Sequence, residues 1–227
     1  HTPRLAARTD VPEMCAVFAP RPVMFGSVSG DWTHNFPQQG LPELRAVVAE
    51  EVSRTRGVPV APEEVVIVPG AKPIIFFAIL ALVEREDEVI YPNPGFPIYE
   101  SMINFVGAKA VPIHLHEEQD FRLDVDELAG RITDRTKLVI INSPQNPTGG
   151  VLEEKDIRDL AAAIGDRDIM VFADEIYSRL IYEGEHHSIF SLPGWRERTV
   201  LLDGFSKTYA MTGWRLGYGV MRADLAQ

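Results

Sequence analysis

The chain has 227 residues, enough for one large domain or two small ones, with a core that needs no disulfide or metal staple. Hydrophobic residues are 45% and charged residues 24%, which excludes a disordered tail, a collagen-like rod and a coiled coil. A net charge of −11 argues against partners such as nucleic acid or an anionic membrane, and a single cysteine, Cys15, allows no internal disulfide and fits a reducing, cytoplasmic compartment.

Residues 1–33 carry Pro3, Pro12, Pro20 and Pro22 with no sustained period and read as an irregular N-terminal arm. From residue 34 to residue 227 the pattern is that of one domain. Pro42 to Arg56 reads as an amphipathic helix stopped by Gly57. Val65–Val68 is a short apolar strand, and Pro73 opens an apolar helix over 74–83. That apolar run is ten residues long, too short to span a bilayer. Glu88–Tyr91 is a strand, Ile98–Val106 a helix ended by Gly107, and Lys109–Ile113 a strand. Asp124–Ile132 reads as a helix, Lys137–Asn142 as a buried strand and Glu153–Ile164 as a helix. The last strands are Ile169–Ala173, Val200–Asp203 and Leu216–Val220. Strands apolar on both faces alternate with helices. The expected fold is α/β, a three-layer sandwich with a mostly parallel sheet between helices. In such sheets ligands bind beyond the carboxyl ends of the strands.

Five strand ends carry residues with chemistry. Pro69-Gly70-Ala71-Lys72 leads into a helix, either as an anion site on free N–H groups or as an ordinary turn. The loop Pro92 to Pro97 is stiffened by three prolines, and its Phe96 either stacks on a planar ligand or caps the core. Asn146, between Ser143 and Gly150, either binds a ligand oxygen or makes an Asx turn. Asp174 ends a buried strand, where a carboxylate needs a partner, unless it caps a following helix. Tyr177 follows three residues on, sharing its face if that segment is helical. Lys207 has no acid beside it in sequence. Desolvated, it would be a nucleophile; snorkelling, it would be an ordinary surface lysine. Arg215 lies eight residues further on and offers an anion site. A lysine for a Schiff base, a carboxylate for a pyridinium nitrogen and a phosphate site together are what pyridoxal phosphate requires.

These residues fall in PGAK at 69–72, YPNPGFPIYE at 91–100, NSPQNPTGG at 142–150, ADEIYS at 173–178 and SKTYAMTGWRLGY at 206–218, with GLPELR at 40–45. With them the chain resembles the pyridoxal-phosphate-dependent aminotransferases of class I and II, over about residues 31–222. The resemblance implies transamination between an amino acid and a 2-oxo acid through a Lys207 Schiff base, with Lys207 then shuttling the proton. Asp174 would pair with the ring nitrogen, and Tyr177 and Asn146 with the ring oxygen. Phe96 would stack on the ring. Gly70, Ala71 and Lys72 with Arg215 would hold the phosphate, and Asn146 and Phe96 would also face substrate. It further implies a homodimer with the site at the subunit interface.

Three positions depart from the family pattern. Gly204 stands where many members have a phosphate-binding serine, and Asn35 where many have a tyrosine that reaches the partner's phosphate. No residue up to Gln227 matches the substrate-carboxylate arginine of the C-terminal small domain, so residues 34–227 read as an incomplete large domain. The rival readings are another pyridoxal enzyme of the same fold, such as a C–S β-lyase, a cofactor-sensing module, or a non-catalytic dimerisation fragment. No metal role is expected for His114, His116, His186 or His187, because no cysteine or carboxylate spacing completes a site.

Overall fold

The computed structural model describes residues 40–227; the expected arm over 1–33, Cys15 and Asn35 lie outside the described residues. The first described helix, α1 (Leu41–Arg56), has Pro42 in its first turn and ends at Gly57, whose φ of 70° closes the left-handed cap. Then come β1 (Val65–Val68), α2 (Lys72–Leu82), β2 (Glu88–Asn93), α3 (Ile98–Val106) and β3 (Lys109–His114). The rest are α4 (Val125–Arg131), β4 (Thr136–Asn142), α5 (Glu154–Ile164), β5 (Met170–Asp174), β6 (Thr199–Gly204) and β7 (Gly217–Val220). Asp124 caps α4 by accepting from the Glu127 N–H at 2.9 Å.

The strands form one seven-stranded sheet in the order β1-β7-β6-β5-β4-β2-β3. Pairs from β3 through β6 are parallel; β7 runs antiparallel to both β6 and β1. The sheet is therefore mostly parallel, as the run of apolar strands leads one to expect. Its central strands β4, β5 and β6 are buried almost throughout, consistent with helices on both faces. On one face α2 and α3 pack against Val89, Ile140, Phe172 and Leu202. On the other, α4 and α5 pack against Val139, Ile141, Val171 and Ala173, and α1 against Leu201, Phe205 and Tyr218. This three-layer arrangement is the one the alternating elements predict.

Register places the site. Asn142 pairs with Asp174, and Asp174 with Leu202, so β4, β5 and β6 end side by side. Several element bounds shift by one or two residues, and two differences lie near the site. No helix follows Asp174; residues 175–180 form turns closed by Ser178 N–H to Glu175 O and Leu180 N–H to Tyr177 O, both 2.8 Å. The last strand starts at Gly217, one residue later than expected. Among the described residues no helix is long and apolar enough to cross a membrane.

Candidate active site

A cavity of about 330 Å³ opens beyond the ends of β4, β5 and β6, in the size range of small-molecule sites. Asp174 and Lys207 both line it, as do Phe96, Asn146 and Tyr177. Ala71, Lys72 and Arg215 line its other end, beside Gly70. Residues from all five of the strand-end segments thus reach one space.

Asp174 forms the floor. It is 5% exposed, and burial pushes its carboxyl up from 3.8 to about 6. Two donors resist that: the Tyr99 hydroxyl, 2.6 Å away, and the Ile176 N–H, 3.2 Å away. The second bond makes an Asx-type turn and replaces the helix cap that the sequence left open. Tyr99 is fully buried on α3, and burial next to Asp174 raises its own hydroxyl well above the ordinary tyrosine value. Sequence reasoning placed Tyr99 in a helix and gave it no role. Its signal was a tyrosine on the apolar side of a helix, whose hydroxyl must find a partner when buried.

Two loops are tied to this floor. Asn142 Nδ2 donates to the Asp174 carbonyl at 2.9 Å, and its Oδ1 accepts from the Asn146 N–H at 2.8 Å. Gln145 Nε2 donates to the Pro94 carbonyl at 2.7 Å and so joins the Asn146 loop to the Phe96 loop. Phe96 stands edge-on to Tyr99 at 5.9 Å between ring centroids, while the Lys72 ammonium lies 5.2 Å from its ring. Phe96 and Asn146 are half-buried, each with one side in the cavity.

The opposite end is built for an anion. Ala71 and Lys72 begin α2, where the first N–H groups have no carbonyl of the preceding turn to bond. Gly70 has φ +79°, which favours glycine, and a Cβ there would lie 2.1 Å from Arg215 Nη2 and so displace the guanidinium. Arg215 itself adopts φ 51°, an unusual backbone for a non-glycine residue. Its Nη2 donates to the Pro69 carbonyl at 3.3 Å and its Nη1 to the Thr212 carbonyl at 3.0 Å. Gly217 lets β7 approach Ala71, since a Cβ there would lie 2.3 Å from the Ala71 nitrogen. Gly204 pairs with Gly217, and a Cβ on it would meet the Gly217 Cα at 3.1 Å and Ile176 Cδ1 at 3.2 Å. A serine at 204 would crowd both contacts, which gives a packing reason for the departure.

Of the two readings the sequence left open for Lys207, desolvated or at the surface, the structure has the side chain exposed, with the ammonium 5.5 Å from the Tyr177 ring. Tyr177 reaches the cavity from a turn rather than from a helix. Asn146 and Tyr177 also border a second cavity of about 540 Å³, which includes Val151, Leu180, Tyr182 and Glu183. His186 Nε2 lies 3.0 Å from Glu175 Oε2. Among the described residues no group of three or more metal-ligating side chains could hold an ion.

The residues present fit pyridoxal phosphate. An acceptor carboxylate on the floor, a primary amine, an aromatic plate and an anion cradle that a Cβ at position 70 would fill surround one cavity.

Residues 22–227 match the family of class I and II aminotransferases. The chain is 43% identical over 188 residues to an aspartate aminotransferase of Pyrococcus abyssi, a match covering 82% of this chain and 48% of that one. It is 40% identical to an aromatic-amino-acid aminotransferase of Thermococcus litoralis, with the same two coverages of 82% and 48%. A crystal structure of an aromatic aminotransferase from Pyrococcus horikoshii superposes with a TM-score of 0.79 at 40% identity, covering 82% of this chain and 50% of that one. The chain spans about half the length of the curated relatives it matches.

Proposed function

Because this chain belongs to the class I and II aminotransferases, we propose that it serves pyridoxal-5'-phosphate-dependent transfer of an amino group between an amino acid and a 2-oxo acid. The observation that carries this reading is that Asp174 and Lys207, with the Arg215 anion end, line one cavity. When bound, the cofactor supplies an electron sink for the charge that develops at the substrate Cα.

Each side chain then has a physical task. Asp174 would hold the ring nitrogen, and a cation there would favour the ionised carboxylate against the burial that pushes it up to about 6. The Tyr99 hydroxyl keeps that carboxylate oriented. The Lys207 amine, on a long and flexible stem, would anchor the cofactor and move the proton at the substrate Cα. Tyr177 and Asn146 would donate to the ring oxygen. Phe96 would cover the ring, exclude water from it and, with Asn146, border the substrate. Arg215 and the N–H groups of Ala71 and Lys72 would hold the phosphate.

The same reading takes residues 34–227 as part of a cofactor-binding large domain and the assembly as a cytoplasmic homodimer. Relatives named for aspartate and for aromatic amino acids leave both acidic and aromatic side chains open.

The test is a titration of the chain with pyridoxal phosphate, followed by visible absorption, beside Lys207→Ala. A pH-sensitive band present only in the parent is the expected result. A parent that gives no band, or a control that gives the same one, would overturn the reading for this chain.

A further inference from the structure

On the sheet face opposite the cavity lies a buried ionic cluster. Side chains alternate along a strand, so Asp174 faces the cavity while Glu175 turns to the other side, toward α1. Asp203 on β6 faces the same way. The Arg56 guanidinium, from the last turn of α1 and 7% exposed, reaches both of them. Its Nε donates to Glu175 Oε2 at 2.7 Å, and its Nη2 lies 3.6 Å from Asp203 Oδ2 and 3.3 Å from Ser178 Oγ. Ser188 donates to the other Glu175 oxygen.

The positions give this cluster its meaning. Glu175 directly follows Asp174, and Asp203 precedes Lys207 by four residues. Parallel pairing of β5 with β6 ends at Asp174 and Leu202, and beyond it only the Glu175 N–H bonds across, to the Leu202 carbonyl at 2.9 Å. Past that bond Arg56 joins the two chains. We propose that Arg56 is a positioning residue for the cofactor site: it clamps the ends of β5 and β6 and so fixes Asp174 relative to Lys207. It touches neither residue and acts through the backbone. The assignment rests on the cofactor reading above.

The chemistry suits the task. A planar guanidinium spans two carboxylates, whereas an ammonium reaches one as a point charge. Other charges also face the cluster. Arg179 lies near Asp203 and pairs with Glu51, His186 lies against Glu175, and Tyr218 faces Asp203 from β7.

Arg56→Met alone strands two buried carboxylates, so the decisive variant is Arg56→Met with Glu175→Gln, which removes the 2.7 Å pair together and leaves Asp203 the charge of the nearby Arg179. Three quantities are read beside Arg56→Lys: the melting temperature, the exchange rate of the Glu175 amide without cofactor, and the affinity and pH midpoint of the Lys207-dependent band. Expected is a double variant that melts within a few degrees of the parent. Its backbone amide at position 175 should exchange about tenfold faster, it should bind pyridoxal phosphate about tenfold more weakly, and its pH midpoint should be displaced. Arg56→Lys should recover part of each. Parental exchange, affinity and midpoint in the double variant would overturn the proposal. If the double variant does not fold, Arg56→Lys decides by the same criteria. If the parent gives no band, the cofactor reading fails by itself, and amide exchange alone decides whether Arg56 holds the strand ends.

Discussion

Replacing Asp174 by asparagine should stabilise the cofactor-free chain at neutral pH while impairing the site. Asp174 is an acid whose folded-state value, about 6, lies above its ordinary 3.8. Between those values the folded chain holds the proton more tightly than the unfolded chain does. The contribution of Asp174 is therefore fully present below pH 3.8 and is lost as pH rises through 6. The displacement of about two pH units corresponds to ~3 kcal/mol at pH 7.5. Asparagine carries no charge and can keep both bonds, from Ile176 and with the Tyr99 hydroxyl. For a chain of this size ~3 kcal/mol is a rise in melting temperature of roughly 6–12 °C. Thermal unfolding of Asp174→Asn and parent by circular dichroism, without cofactor, should show that rise at pH 7.5 and a much smaller one at pH 4.5. No gain at pH 7.5, or an equal gain at both, would refute the argument that a desolvated charge sits under the cavity. The same variant should bind pyridoxal phosphate at least about tenfold more weakly, because its amide cannot form an ion pair.

Three further outcomes follow from single contacts. Tyr99→Phe removes the 2.6 Å donor to Asp174 and should raise the carboxyl midpoint by about one pH unit, read from carbon-13 chemical shifts of the aspartate side chain. Arg215→Ala should weaken binding of pyridoxal phosphate by about tenfold or more yet leave binding of phosphate-free pyridoxal nearly unchanged, by equilibrium absorption titration. Gly70→Ala combines a left-handed φ of +79° with a Cβ 2.1 Å from Arg215. Denaturant unfolding should show a loss of ~1–3 kcal/mol, accompanied by weaker phosphate recognition.

The legible part of the fold was local. Val65–Val68 has the bounds its apolar run predicts, and the helices ending at Arg56 and Val106 stop where flanking glycine predicts, because Gly57 and Gly107 close them in the left-handed conformation. The site residues were legible for a related reason. In a parallel sheet every strand ends on the same side, so residues that follow strands converge whatever the strand order. Antiparallel β7 was not legible, since its Gly-Tyr-Gly-Val carries no mark of direction. Nor was the turn after Asp174, where a side-chain bond to the Ile176 N–H wins over helix formation.

Sequence by itself determined which residue types stand at the strand ends, and with them the family and the chemistry open to the site. Those features depend on local patterning and on motif order, both of which are written along the chain. Only the tertiary structure decided the partnerships: Tyr99 with Asp174, 75 residues apart, and Arg56 with Glu175, 119 residues apart. It also decided that Lys207 is exposed while Asp174 is buried. The reason is physical. The desolvation of a charge, and the donor that answers it, depend on what packs across the sheet, and no short stretch of chain carries that information.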